Sequence, residues 1–267
     1  MTHRSKSLVC YSDIHIGSKL AVCSDDPEIP NYRQNNLQRK LYEMWQESID
    51  DITQKPDIKI INGEPFDGAN RKQIGKQSAT TDILPQMKEA QKLLKMIPCN
   101  RTLLIKGSGY HVDSEATSYE EIFAELIGAE DYNAYGTGER VDDFAMVRLN
   151  GKLFNFTHHV GYSKWQMYRT TALGREMAAL HFQYDQLGGK VDVIVRSHVH
   201  YFCHVEFAHT NGFTTPAWKY PDRHLYRQGQ PPAPDVGCVE VIVESNGDID
   251  IKKHISKLKV HPKVLEI

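Results

Sequence analysis

The chain has 267 residues, 40% of them hydrophobic and 25% charged, with a formal net charge of -2. Such a length suits one large domain or two small ones, and the composition is ordinary for a soluble globular protein. The charge balance excludes a surface that coats nucleic acid all over, and no apolar stretch reaches the length of a membrane helix.

Strands and helices alternate through the first half. SLVCYS (7–12) reads as a first strand, and residues 35–53, with Leu37, Leu41, Trp45 and Ile49 at helical spacing, as a long amphipathic helix. DIKIIN (57–62) is a second strand. After a polar segment (68–82), LPQMKEAQKLLKMI reads as a helix closed by Pro98. RTLLIKG (101–107) is a third strand, and YEEIFAELIG (119–128) a short helix ending at Gly128. This β-α-β-α-β-α order favours a partly parallel sheet covered by helices.

The second half opens with DFAMVRLNGKLFNFTHH, two apolar runs joined by Asn150-Gly151, the pair a type I′ hairpin prefers. A helix from about Met167 to Leu187 is expected next. Then come a strand VDVIVRS, a run YFCHVEFAH, a proline-rich loop (227–237) and a closing hairpin around Asn246-Gly247. No linker separates the halves, so residues 1–267 read as one domain with two abutting sheets. MTHRSKSLVCYSD lacks the apolar core of a signal peptide. The five scattered cysteines form no C-x-x-C, so they read as reduced thiols of a cytoplasmic protein.

The thirteen histidines are the outlier. Asp13 and His15 follow the first strand, Glu64 and Asp67 the second, and His111 the third. His158 and His159 follow KLFNFT, and His198 and His200 follow VDVIVR. Strand C-terminal ends are where open α/β sheets gather ligands. Imidazoles and carboxylates are the usual ligands of zinc, manganese and iron, and these exceed what one tetrahedral ion requires. Two ions roughly 3.5–4 Å apart would use them all. Strand alternation is expected to aim Asp13 with His15, and His198 with His200, at one point.

In order and placement, D-x-H (13–15), N-G-E-x-x-D-G (62–68), GSGYHVD (107–113), H-H (158–159) and S-H-x-H (197–200) resemble the calcineurin-like metallophosphoesterases. RSHVHYF and TTPAW look closest to bacteriophage- and prophage-type members. The resemblance implies a four-layer αββα sandwich of two mixed β-sheets flanked by helices. It also implies a two-metal phosphoesterase, with manganese the first choice over zinc or iron. Asp13, His15 and His200 would hold one ion, His158 and His198 the other, and Glu64 would bridge. His111 would be the catalytic residue, acting as general acid or charge stabiliser. Tyr110 and His159 are further candidate substrate contacts, and Arg71 and Lys72, in the loop after the Glu64 motif, either meet substrate phosphates or belong to a solvated loop.

The sequence departs from the family in two places. Glu64 stands where the bridging residue is usually Asp, and Tyr110 where an Asn ligand is usual. The second site is therefore one ligand short, to be filled by water, Ser108 or His111. The expected function is phosphodiester hydrolysis on DNA or nucleotides in the cytoplasm of a bacterial or phage-infected cell. The alternatives are a phosphomonoesterase or protein phosphatase, and a metal-binding scaffold with weakened catalysis. Asp67 reads as a turn or helix-cap residue, and Asn62 and Asn155 as turn or orienting residues. Lys76, Lys164, Arg169 and Arg175 meet substrate phosphates or are solvated. Trp218, Tyr220 and Tyr226 stack a base or pack under the second sheet. The remaining histidines are surface or satisfied residues.

Overall fold

A computed structural model of the chain describes residues 4–70, 75–114, 117–134, 136, 138–163, 165–183, 189–207, 209–223, 226, 234–258 and 265–266. In chain order the elements are β1 (Lys6–Tyr11), α1 (Asn36–Asp50), β2 (Ile58–Asn62), α2 (Ile83–Met96), β3 (Thr102–Ile105), α3 (Gly109–Val112), β4 (Asp113–Ser114), β5 (Thr117–Ser118) and α4 (Tyr119–Ile127). There follow β6 (Phe144–Leu149), β7 (Lys152–Thr157), α5 (Arg169–His181), β8 (Val193–Arg196), β9 (Cys203–Phe207), β10 (Thr210–Thr214), β11 (Asp235–Val243) and β12 (Ile249–Lys257).

Two five-stranded mixed sheets result, ordered β12-β11-β1-β2-β3 and β6-β7-β8-β10-β9. β1, β2 and β3 run parallel in one, and β7, β8 and β10 in the other. The two-residue side-chain period divides the central strands between two cores. Leu8, Cys10, Ile60 and Ile105 face Phe154, Phe156, Val193 and Val195 between the sheets. On the opposite faces, Val9, Tyr11, Ile61 and Leu104 pack with Leu41 and Trp45 of α1 and Leu93 of α2. Ile194 and Leu153 pack against Leu173 and Met177 of α5. The layers are therefore helix, sheet, sheet, helix. Strands buried on both faces explain why the apolar runs in the sequence are continuous rather than alternating.

Local chemistry sets the element ends. Asn35 accepts from the backbone of Leu37 and Gln38 while Gln38 returns a bond to Asn35, a capping box that starts α1. Asn150 and Gly151 take φ of 48° and 86°, as the type I′ turn requires. Several expectations change. The proline-rich stretch expected as a loop over 227–237 gives way to β11 at Asp235, and the short elements α3, β4 and β5 are additional to the expected ones. The helix expected over Met167–Leu187 is a 3₁₀ turn (Gln166–Tyr168) followed by α5, which ends at His181. Leu173 and Met177 are its buried residues, and Phe182 just past its end is 88% exposed, so no buried face supports extension. Leu187 lies outside the described residues. β10, TNGFT, is an additional strand. Its glycine hides the pattern, because Gly212 gives room to the Met177 side chain. Among the described residues no helix is long and apolar enough to cross a membrane.

Candidate metal centre

The loops leaving β1 and β2 stay paired past the strand ends. Ile14 and His15 N–H both donate to Glu64 O at 3.0 Å, and Asp67 N–H donates to Ile16 O at 2.8 Å. The neighbouring glycines admit this packing. A Cβ on Gly63 would strike the His158 ring, and one on Gly107 would lie 2.6 Å from Glu64 N. Strand alternation does not aim the paired residues, because all lie beyond the strands. Asp13, His15, Glu64, His198 and His200 take left-handed conformations, with φ of 48°, 52°, 54°, 71° and 57°. The chain turns over the sheet edge at each of them. Each such position costs about 1–2 kcal/mol for a non-glycine residue, and strain of this kind gathers at functional sites.

The six side chains converge. Glu64 Oε2 lies 2.8 Å from His15 Nε2, and Glu64 Oε1 lies 3.4 Å from His158 Nε2 and 3.9 Å from His198 Nδ1. Asp13 Oδ1 is 3.2 Å from His200 Nε2 and 3.9 Å from both His15 Nε2 and His158 Nε2. Ligands about 2.1 Å from one ion sit roughly 3.0 Å apart at right angles and about 3.4 Å apart at tetrahedral angles. The observed spacings fall around those values. Asp13 Oδ1, His15 Nε2, Glu64 Oε1 and His158 Nε2 are all buried and all lack a hydrogen-bond partner. Four orphaned atoms facing one space would be costly unless something polar or cationic completes them. The donor set, imidazole with carboxylate and no thiolate, fits a divalent transition ion.

Supporting bonds fix the ring faces. His158 Nδ1–H donates to Asn62 O at 2.7 Å, and His15 Nδ1–H faces Asp67 Oδ1 at 3.2 Å, so both rings turn Nε2 inward. A buried hydroxyl chain links the two sides. Ser12 Oγ–H donates to Asp13 Oδ2 at 2.7 Å. Thr215 Oγ1 lies 2.6 Å from Ser12 Oγ and 2.7 Å from Ser197 Oγ, which accepts from Asn62 Nδ2 at 2.6 Å. Asn62 is therefore an orienting residue. Asn155 instead points at Met146 Sδ, 3.1 Å away.

Asp67 is not a turn or helix cap. It is fully buried, and its carboxylate accepts from Lys219 Nζ at 2.9 Å and from Asn70 Nδ2 at 2.7 Å. His15, Asp67 and His111 have metal-like spacing, but the Lys219 ammonium already supplies the cation there. His111 is 6% exposed, and its Nδ1–H donates to Asp67 O at 2.8 Å. Lys219, Ser12, Thr215 and Ser197 escaped the sequence reading. Lys219 and Asp67 lie 152 residues apart, with no local pattern joining them.

Burial and neighbouring charge compete at each group. Burial raises the Asp13 carboxyl, but His200 and His158 outweigh it and hold it below the usual range. Glu64 is lowered against burial by His15 and His158, and Asp67 by Lys219 and His15. Burial alone would lower His158, yet Glu64 and Asp13 raise it to about 9. At His111 and His198 burial outweighs the opposing pull of Glu64 and takes both down to about 4.

His158 is the buried member of its pair, and His159 is exposed. His159 Nε2 lies 3.2 Å from Ser108 Oγ, which lies 3.4 Å from His198 Nδ1. His158, His159 and His198 offer atoms within 4.8 Å of one another. The His198 and His200 side chains are 32% and 21% exposed, so with His159 they form the open side of the centre.

Arg71, Lys72 and Lys164, together with the Tyr110 side chain, lie outside the described residues. Lys76 and Arg175 are exposed. Trp218 is fully buried against Tyr11 and Trp45, so it packs in the core rather than stacking a base. His204 pairs with Asn211 and His254 with Glu240, in keeping with the satisfied reading. His3, His224 and His261 lie outside the described residues. All five cysteines are buried free thiols.

A four-layer sandwich carrying a histidine–carboxylate cluster on its strand-end edge is the architecture that the motif resemblance implied. No protein-family model matches the chain, and no curated protein does. Among solved structures, it is similar to a predicted phosphoesterase from Streptococcus pneumoniae TIGR4 (10% identity, TM-score 0.40, 94% of this chain and 91% of that one). It is also similar to Vps29 from Entamoeba histolytica complexed with zinc (12% identity, TM-score 0.43, 92% and 97% covered). A novel archaeal phosphodiesterase is a third (13% identity, TM-score 0.41, 94% and 99% covered).

Proposed function

We propose that the chain is a metal-dependent phosphoesterase working through two divalent ions, a phosphodiesterase or nuclease whose substrate is DNA or a nucleotide. The observation that carries this reading is the convergence of four buried, unpartnered ligand atoms at coordination spacing. His15, His200 and Asp13 hold one ion, and His158 and His198 the other. Glu64, with one oxygen beside His15 and the other beside His158, would be shared between them, and His159 with Ser108 would be available to the second in place of the family's Asn. Bound there, the ions supply the positive charge that offsets a phosphoester's non-bridging oxygens and make water acidic near neutral pH.

The chain's own residues do the rest. Asn62 and Asp67 hold the two inward-facing rings in the right tautomer, and the Ser12–Thr215–Ser197 chain fixes Asp13. His111, its Nδ1–H committed to Asp67 O and its ring 4.9 Å from that of His15, is the candidate to meet the phosphoester. Being held neutral by burial, it donates to the leaving oxygen only after substrate charge restores its second proton.

The test is turnover of mono- and diester substrates by chelator-treated protein reloaded with manganese, zinc or iron. Diester hydrolysis that follows metal loading supports the proposal. Tyr110 at the family's Asn position favours a second reading, a metal-holding scaffold. Stoichiometric metal with no turnover of any phosphoester would establish that one instead.

A further inference from the structure

Four large apolar side chains stand open to solvent within one short segment beside the cluster: Tyr162 (52% exposed), Trp165 (68%), Met167 (74%) and Tyr168 (54%). Isolated exposed apolar residues need no explanation, but a contiguous group marks a contact surface. Both ends of the segment are fastened at the site. It leaves β7 through His158 and His159, and chain length alone keeps the Tyr162 Cα within about 11 Å of the His159 Cα. It ends at Arg169, whose guanidinium lies 4.3 Å over the ring of Tyr201, the residue after His200. Tyr201 Oη–H also donates to Arg169 O at 3.4 Å. The segment therefore starts and finishes beside residues of the open side of the centre.

Its charge is one-sided. From His158 to Arg169, where the segment ends, the sequence carries Lys164 and Arg169 and no Asp or Glu, in a chain whose net charge is -2. Exposed aromatic rings in a segment whose charged residues are all basic complement a polyanion that carries flat apolar rings. A duplex hides the faces of its bases, whereas a single strand presents them.

We propose that this segment is a base-stacking wall, which seats the bases of a single-stranded nucleic acid while its phosphates face His159, His198 and His200. The inference rests on the phosphodiesterase reading and narrows its substrate to a base-bearing strand. Trp165 is the principal contact. Trp45 and Trp218 are fully buried, so a quench by added ligand reports Trp165.

The experiment compares an oligomer of eight thymidines with an abasic oligomer of equal length and charge. Binding is followed by Trp emission and by anisotropy of end-labelled strands, with metal chelated so that neither is cut. The thymidine strand should quench the emission and bind about tenfold more tightly. Trp165→Ala should abolish that preference without changing the thermal midpoint, and Trp165→Phe should restore most of it. Equal affinity for the two strands, or a preference that survives Trp165→Ala, overturns the inference. So does Trp165 emission that changes with protein concentration alone, which would mean that a second copy covers the segment. With manganese restored, hydrolysis of both strands without preference would sink the stacking wall and leave the phosphodiesterase standing. Base-dependent binding with no hydrolysis would do the reverse.

Discussion

Replacing Glu64 with Gln keeps the shape of the side chain and removes one charge from the centre of the cluster. Glu64 is 1% exposed, and its oxygens lie 2.8 Å from His15 Nε2 and 3.4 Å from His158 Nε2. At an effective dielectric constant of about 20, a unit negative charge at those distances interacts with a unit positive charge by roughly 5–6 kcal/mol. The cost of burying the carboxylate takes back much of this. Changes one shell farther out already weaken metal sites 10–100-fold, so loss of the carboxylate itself should cost at least about 100-fold, about 2.7 kcal/mol. Calorimetric titration of manganese into chelator-treated protein measures this directly. In the metal-free protein, the same substitution should bring His158 down from about 9, because Glu64 is the largest influence raising it. Histidine ring resonances followed against pH report that fall. Glu64→Asp keeps the charge but draws it back by roughly 1.3 Å, one methylene. Its loop is bonded along the Asp13–Ile16 segment and cannot follow, so metal should bind more weakly while hydrolysis persists at saturating manganese. Unchanged manganese affinity in Glu64→Gln, with His158 still titrating near 9, would refute the reasoning.

Thr215→Val removes the hydroxyl between Ser12 and Ser197 at nearly constant volume. It should weaken manganese binding about tenfold by loosening Asp13, with Thr215→Ser restoring it, both read by calorimetry. Lys219→Met strands the buried Asp67 carboxylate, and urea unfolding of the metal-free protein should show a loss of about 3–5 kcal/mol, partly recovered by adding Asp67→Asn. Because His158 is raised in the folded state, it stabilises the metal-free protein fully below its unfolded value of about 6.5 and loses that contribution as pH rises through about 9. The metal-free thermal midpoint should therefore decline between pH 6.5 and 9, and decline less in His158→Gln.

The parts legible in the sequence were those with local physics behind them. Continuous apolar runs gave β1, β2, β3 and β8, Asn150-Gly151 gave the β6–β7 turn, and Gly128 gave the end of α4, where it takes φ of 62°. The five polar clusters were readable because a strand end is a position in the chain, and parallel strands bring their ends to one edge. How the clusters aim was not readable. No propensity announces that Asp13, His15, Glu64, His198 and His200 turn left-handed, since only the tertiary contacts around them hold those angles. Lys219 and Thr215 were hidden for a different reason. Lys219 meets Asp67 across 152 residues and Thr215 meets Ser12 across 203, distances over which no local pattern joins them.

The central claim is that two ions sit between Asp13, His15, Glu64, His158, His198 and His200. A crystal grown with manganese, with diffraction recorded near the manganese absorption edge, tests it most directly. The account predicts two anomalous peaks roughly 3.5–4 Å apart, one beside His15 and His200 and one beside His158 and His198, with Glu64 reaching both. Full-occupancy manganese elsewhere, with the six side chains hydrogen-bonded only to one another or to water, would contradict it.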